Sequence, residues 1–241
     1  MAVRIRRDDR EYVVEPGEEL QTDLGVLTIP VDVQPGDTVE THLGTTFDVR
    51  SLRGPDLFDH LERTGAPMIP RDIGLVIGET GIQSGDRVLD VGTGTGVLSA
   101  YLGRCGAIVV TYEQDAEAAA VARENMALAG VEDRVEVREG DATVAIDADE
   151  LEPVDVLTLD TGDAPTIIKQ ATKILIPGGM LAAYSPYIEQ TRTIVEAARE
   201  SLTDVRAIDT IQRPLDIGER GTRPSTGPVG HTGYLIFARR P

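Results

Sequence analysis

The chain has one cysteine, Cys105, no tryptophan and, among 241 residues, only two lysines, Lys169 and Lys173. A single cysteine excludes an intrachain disulfide and a cysteine-rich metal centre, and no metal site is expected. No apolar run reaches membrane-spanning length, and residues 1–15 are charged without the apolar segment of a secretory leader. The expectation is a soluble, cytoplasmic protein with no membrane partner. Basic side chains are also scarce: 23 against 41 acidic ones give a formal net charge of −18. Acid-rich, lysine-poor and with 4% aromatics, the composition reads as that of a salt-adapted (halophilic) cytosolic protein, with an ordinary acidic protein as the plainer alternative. A negative total normally speaks against nucleic acid. In concentrated salt, however, long-range attraction to phosphate is weak anyway, so local arginines and stacking would carry RNA binding and net charge is no veto.

What the chain does have is length for one large domain with a small appendage. Residues 1–60 lack helical periodicity, and 11–15, 26–29 and 38–41 read as short strands between Pro-Gly turns, predicting a small β-rich N-terminal domain. Residues 61–241 then alternate. Helical segments surround a break at 65–70, with Asp72 as a candidate cap. Strands are predicted over 87–91, 107–111, 135–137, 154–159, 180–184, 205–211 and 234–238, with helices between most of them. This is the pattern of an α/β doubly wound, Rossmann-like parallel sheet. The last two strands lack an intervening helix, which suggests an antiparallel end to the sheet.

The most informative stretch follows the first of those strands. Asp90, Gly92, Thr93, Gly94, Thr95, Gly96 and Val97 make a strand–glycine turn–helix element, where the backbone must bend sharply beside a ligand. The dinucleotide fingerprint wants its third glycine where Val97 stands. The spacing Asp-x-Gly-x-Gly-x-Gly instead resembles motif I of class I S-adenosylmethionine methyltransferases. Ligands in such sheets lie beyond the carboxyl ends of the strands, and three further acids end strands there. Glu113, about twenty residues on, is placed to bridge ribose hydroxyls, Asp141 to accept from an adenine amino group, and Asp160 to face the substrate. Asp90 and the glycines would face the methionine part of the cofactor. Carboxylates suit a ligand cationic at sulfur.

The resemblance then narrows to a family. Met68-Ile69-Pro70-Arg71-Asp72, the glycine turn, Tyr112-Glu113, Leu159-Asp160, Tyr184-Ser185-Pro186 with Gln190, and the tail Arg223-Pro224-Ser225-Thr226 with His231-Thr232-Gly233-Tyr234 resemble the tRNA (adenine-N1)-methyltransferases that modify the T-loop adenine 58. The resemblance spans nearly the whole chain, and the tail and the Tyr-Ser-Pro segment are its more specific parts. It implies S-adenosyl-L-methionine as cofactor, tRNA as substrate and a homotetramer. Asp160 would be the catalytic residue, stabilising the cationic methylated base and touching the cofactor, while Tyr184, Gln190, Arg223, His231 and Tyr234 would contact substrate. One departure stands out. The family commonly continues with Pro-Trp after the acid, whereas here Asp160-Thr161-Gly162-Asp163 follows with no tryptophan, and Tyr184, Tyr187 or Tyr234 would have to stack on the base. Two alternatives stay open: a related methyltransferase acting on a small molecule or a protein (precorrin or isoaspartyl type), and a non-catalytic tRNA-binding subunit.

Overall fold

A computed structural model describes residues 2–148, 151–227 and 230–241. The N-terminal strands are β1 (Val3–Arg7), β2 (Arg10–Val14), β3 (Glu19–Thr22), β4 (Gly25–Thr28), β5 (Thr38–Glu40) and β6 (Thr46–Arg50). β2-β1-β6-β5 pair antiparallel in that order, and β3 and β4 form a separate hairpin. In β6, Phe47 and Val49 turn inward while Thr46, Asp48 and Arg50 face out. With Ile5, Val14, Leu27 and Ile29 they form a small core. β1, Val-Arg-Ile-Arg-Arg, escapes sequence reading because only Val3 and Ile5 carry its apolar face.

The chain then passes through α1 (Gly54–His60) and α2 (Pro70–Thr80). Pro70 opens α2, where its missing N–H costs nothing. Asp72 does not cap this helix; it lies inside the first turn and is buried. The rest alternates as β7 (Arg87–Val91), α3 (Val97–Arg104), β8 (Ile108–Glu113), α4 (Ala116–Ala129), β9 (Val135–Glu139), α5 (Ala142–Asp147), β10 (Val154–Leu159), α6 (Ala164–Ile168), α7 (Ala171–Ile174), β11 (Leu175–Ser185), α8 (Ile188–Arg199), β12 (Thr203–Asp209), β13 (Leu215–Gly218), β14 (Gly221–Pro224) and β15 (Tyr234–Arg239).

The seven-stranded sheet has the order β12-β15-β11-β10-β7-β8-β9. Its strands from β11 to β9 run parallel, and β15 runs antiparallel to both neighbours, so the antiparallel strand is last in sequence but not at the edge. Winding goes outward from β7 through β8 to β9, then restarts at β10 on the other side of β7. The switch point therefore lies between β7 and β10, which is where a ligand crevice opens in such sheets. Apolar clusters cover both faces of the sheet: Leu157, Leu159, Ile167 and Ile194 belong to one, Val88, Leu102, Val109 and Phe237 to the other. Leu52, Leu57 and Leu61 join the second, so α1 and its flanks pack onto this sheet.

Three local differences from the sequence reading have physical reasons. The strand expected over 180–184 begins at Leu175, so Pro177-Gly178-Gly179 lies within β11, with Gly178 at φ 81° and a register shift against β10. The helical segment expected between the strands at 154–159 and 180–184 breaks into α6 and α7 around Lys169 and Gln170. Residues 215–224 form a hairpin exposed along both strands; short polar strands at a surface leave no apolar alternation to read.

Candidate active site

The turn after β7 is shaped by three glycines at positive φ: Gly92 (92°), Gly94 (52°) and Gly96 (81°). The Gly92 and Thr93 N–H groups donate to the Tyr112 carbonyl at 3.0 and 3.2 Å, and the Gly96 N–H to that of Thr93 at 2.8 Å. At Gly96 a Cβ would stand 2.5 Å from Met126 Cε and 3.2 Å from Ala122 Cβ, so this glycine lets α3 start tight against α4. Thr93, Thr95 and Val97 are buried.

Asp90 is not where the sequence reading put it. It is 2% exposed and lines neither half of the cleft. Its Oδ1 accepts from Thr158 Oγ1 at 2.5 Å, and its Oδ2 from Ser99 Oγ and Thr111 Oγ1, both at 2.7 Å. Burial raises its pKa, and the three hydroxyls pull the other way. Asp90 thus ties β7, β8, β10 and α3 together beneath the turn instead of facing a ligand. Thr93 Oγ1 joins the network through Thr111.

The other strand-end acids differ in surroundings. Glu113 is half-buried; its Oε2 accepts from the Gly94 N–H at 2.7 Å and its Oε1 from the Asp115 N–H at 3.0 Å. Asp141 caps α5, its Oδ1 accepting from the Thr143 N–H at 2.8 Å and Oγ1 at 2.7 Å, and these bonds lower its pKa. Asp160 opens onto the cleft with protein on its remaining sides. That crowding, then the nearby carboxylates of Asp90 and Glu113, push its pKa up to about 7. The contact that fixes it is backbone: its N–H donates to Val91 O at 2.9 Å.

The cleft has two halves, one on each side of the glycine turn, both lined by Gly92, Gly94 and Asp160. Thr64–Met68 wall one side, together with Thr93, Thr95, Val97 and Leu98. Tyr112, Glu113, Gly140, Ala142 and Thr161 wall the other. No lysine or arginine is among these lining residues.

The expected substrate residues gather only partly. Tyr184 is half-buried near Asp160 and Asp72, whose charges add to burial in raising its pKa. Its hydroxyl donates to the Thr232 carbonyl at 2.5 Å, and a Cβ on Gly233 would stand 2.3 Å from its ring. Gln190 is a link, not a free group: its Oε1 accepts from Ser185 Oγ at 2.9 Å, and its Nε2 donates to Thr161 O at 3.3 Å, one residue past Asp160. His231 lies 4.7 Å from the Tyr234 ring, with its Nδ1 3.7 Å from Asp209. Arg223 sits on the exposed hairpin, 3.8 Å from Asp216, and does not line the cleft. Tyr187, 67% exposed, stands on the surface.

Several residues here carry no site role in the sequence alone. Arg71 Nε donates to Asp72 Oδ1 at 3.0 Å, and Thr232 Oγ1 to Asp72 Oδ2 at 2.7 Å, while Arg71 also reaches Thr232. The Met-Ile-Pro-Arg-Asp segment was visible in the sequence, but its partner lies about 160 positions away. Nothing in the sequence signalled Asn125 or the wall at residues 64–68.

A cleft walled by glycines and two carboxylates, without a basic side chain, fits a cationic ligand better than a pyrophosphate. The comparisons agree. A family model described as "tRNA methyltransferase complex GCD14 subunit" matches residues 58–222. The tRNA (adenine(57)-N(1)/adenine(58)-N(1))-methyltransferase TrmI of Methanocaldococcus jannaschii is 34% identical, over 98% of this chain and 93% of its own. The tRNA (adenine(58)-N(1))-methyltransferase TrmI of Thermus thermophilus is 28% identical, over 87% and 83%. Among solved structures, a SAM-dependent O-methyltransferase of Thermotoga maritima superposes with TM-score 0.78 at 26% identity, covering 99% of this chain and 92% of its own. The tRNA (m1A58) methyltransferase TrmI of Aquifex aeolicus has TM-score 0.73 at 21% identity, covering 100% and 96%, and shares the fold.

Proposed function

Because the chain belongs to the tRNA methyltransferase complex GCD14 subunit family, we propose that it is an S-adenosylmethionine-dependent tRNA (adenine-N1)-methyltransferase acting on T-loop adenines 58 and 57, the positions named for its archaeal relative. The observation that carries the chemistry is Asp160 facing a glycine-floored cleft that has no basic lining. The tRNA assignment rests on the family.

When bound, S-adenosylmethionine supplies an electrophilic methyl group on a cationic sulfur. Gly92, Thr93, Gly94, Thr95, Gly96 and Val97 would hold it, with Glu113 for its ribose hydroxyls and Asp141 for its adenine amino group. Asp90 keeps the turn in shape from underneath. Much of the work is positioning. Asp160 faces the target base, accepts from its exocyclic amino group and offsets the positive charge that N1 methylation leaves. An adenine stacked inside the T-loop must be extruded to reach this depth. Tyr184 walls the base where the tryptophan is missing, supported by the ring's seat against Gly233 and its bond to Thr232. His231, Tyr234 and Arg223 meet the RNA outside the cleft, and Gln190 acts on the base through the Thr161 turn.

The reading extends to a homotetramer working in a salt-rich cytoplasm. Ile211, Leu215 and Ile217 are 71, 59 and 81% exposed around the β13–β14 hairpin, apolar surface that a second copy would cover. The net charge of −18 supports the salt-rich setting. The N-terminal β-rich domain, residues 1–60, is read as an appendage to the catalytic domain of 61–241, with α1 packed onto the sheet of the latter.

The test is incubation with labelled S-adenosylmethionine and unmodified tRNA at low and molar salt, followed by nucleoside analysis. The expected product is 1-methyladenosine in the T-loop. Its absence in both salts from a protein that binds the cofactor would overturn the substrate assignment.

A further inference from the structure

Asn125 lies on α4, is 3% exposed and does not line the cleft, yet it bonds both the glycine turn and Glu62, two residues before the Thr64–Met68 wall. Its Nδ2 donates to Thr95 O in the glycine turn at 2.7 Å and to Glu62 O at 2.9 Å. Its Oδ1 accepts from the Glu62 N–H at 3.0 Å. Glu62 begins the segment that runs into the wall formed by Thr64–Met68. One amide therefore joins a segment before the main sheet to the turn after its first strand.

The amide has one orientation that works. Two carbonyls require the NH2 and one N–H requires the oxygen, so a flipped amide would fail at all three contacts. An aspartate could keep only the bond from the Glu62 N–H and would set a buried charge against two carbonyls; a leucine would keep none. The anchor is rigid. α4 is capped at its start by Asp115, whose side chain accepts from Glu117 and Ala118, and is closed by Gly130 at φ 66°. Ala122 and Met126, either side of Asn125, are the residues against which Gly96 packs.

We infer that Asn125 is a positioning residue for the cofactor: it clamps the 62–68 segment at a set distance from the glycine turn and so fixes the width of the cleft half that they share. The inference rests on the cofactor reading above. It adds a residue that touches no ligand and acts through the Glu62 and Thr95 backbone. With the clamp gone, the glycine turn keeps its bonds to Tyr112 and its packing on α4, whereas the 62–68 wall loses the three-bond node that joins it to the turn. The damage therefore falls on cofactor retention more than on turnover.

The experiment compares the wild type with Asn125→Ala and Asn125→Asp. Its readouts are calorimetric binding of S-adenosylmethionine and S-adenosylhomocysteine, KM against kcat at saturating tRNA, and hydrogen exchange. Both variants are expected to weaken cofactor binding and raise its KM about tenfold, with kcat at saturating cofactor within about twofold of wild type. Exchange should accelerate at the Glu62 N–H, which Asn125 accepts from, and stay unchanged in β7 to β9. Unchanged cofactor affinity, a fall in kcat without a rise in KM, or faster exchange throughout the sheet would overturn the inference. So would failure of both variants to fold, which would make Asn125 a residue of the core alone. A wild type that binds no S-adenosylmethionine would remove the premise itself, and calorimetry reads that arm without any variant or tRNA.

Discussion

A Cβ placed on Gly92 would stand 2.1 Å from the carbonyl oxygen of Asp160. The glycine turn and the candidate catalytic acid are thus in backbone contact across the switch point, held by the bond from the Asp160 N–H to Val91 O. Gly92→Ala must push the two loops apart. It is expected to abolish detectable cofactor binding by calorimetry and to lower the melting temperature; wild-type affinity in that variant would show that this contact does not set the cleft.

Partial burial at the cleft, then the nearby charges of Asp90 and Glu113, push the pKa of Asp160 up to about 7. Its neutral form can still accept a hydrogen bond from the base, but only the ionised form offsets a developing positive charge. Hence kcat/KM for methyl transfer is expected to rise with pH and level off above an inflection near 7. Asp160→Asn should lower kcat by about 10²- to 10⁴-fold and erase that inflection. A wild-type profile flat from about pH 6 to 8 would contradict the role.

The same shift has a consequence for stability. The folded-state pKa of about 7 lies above the ordinary 3.8, so between those values the native protein binds more protons than the unfolded chain. Stability from this group is full below the lower value and is lost as pH rises through the upper one. Asp160→Asn removes that loss. Its melting temperature should exceed wild type at pH 8, with the gain shrinking toward pH 5. Thermal scans at the two pH values check the sign.

Gln190 reaches Thr161 O from α8 and steadies the turn that carries Asp160. Gln190→Ala is expected to reduce kcat several-fold while cofactor affinity stays at the wild-type value, as steady-state kinetics beside calorimetry would show. Equal loss in both would place the side chain elsewhere in the mechanism.

Asp72, 1% exposed, is held between Arg71 and Thr232. Asp72→Ala leaves the largely buried Arg71 without its carboxylate and should cost about 3–5 kcal/mol in urea unfolding. Thr232→Val, which keeps the ion pair, should cost about 1 kcal/mol. Values of similar size for the two would mean that the hydroxyl and not the ion pair holds the tail.

The glycine turn, the acids at the ends of β7, β8 and β10 and the doubly wound order of elements were legible in the sequence. Each rests on short-range signals: an apolar run, a break, a polar residue at a strand end. Which of two strand-end aspartates faces the cleft was not legible. Asp90 and Asp160 look alike in sequence, but Ser99, Thr111 and Thr158 converge on Asp90 from three other elements and take up its carboxylate, while Asp160 is left facing the cleft. Asp72 read as a cap for the same reason: its partner Thr232 lies 160 residues away. Local composition and periodicity marked most of the elements and the ligand-bearing turn, and the family followed from the resemblance of its motifs. Only the tertiary structure decided which carboxylates are buried struts and which are exposed to chemistry, because a side chain's charge state and reach depend on distant residues that the folded sheet brings beside it.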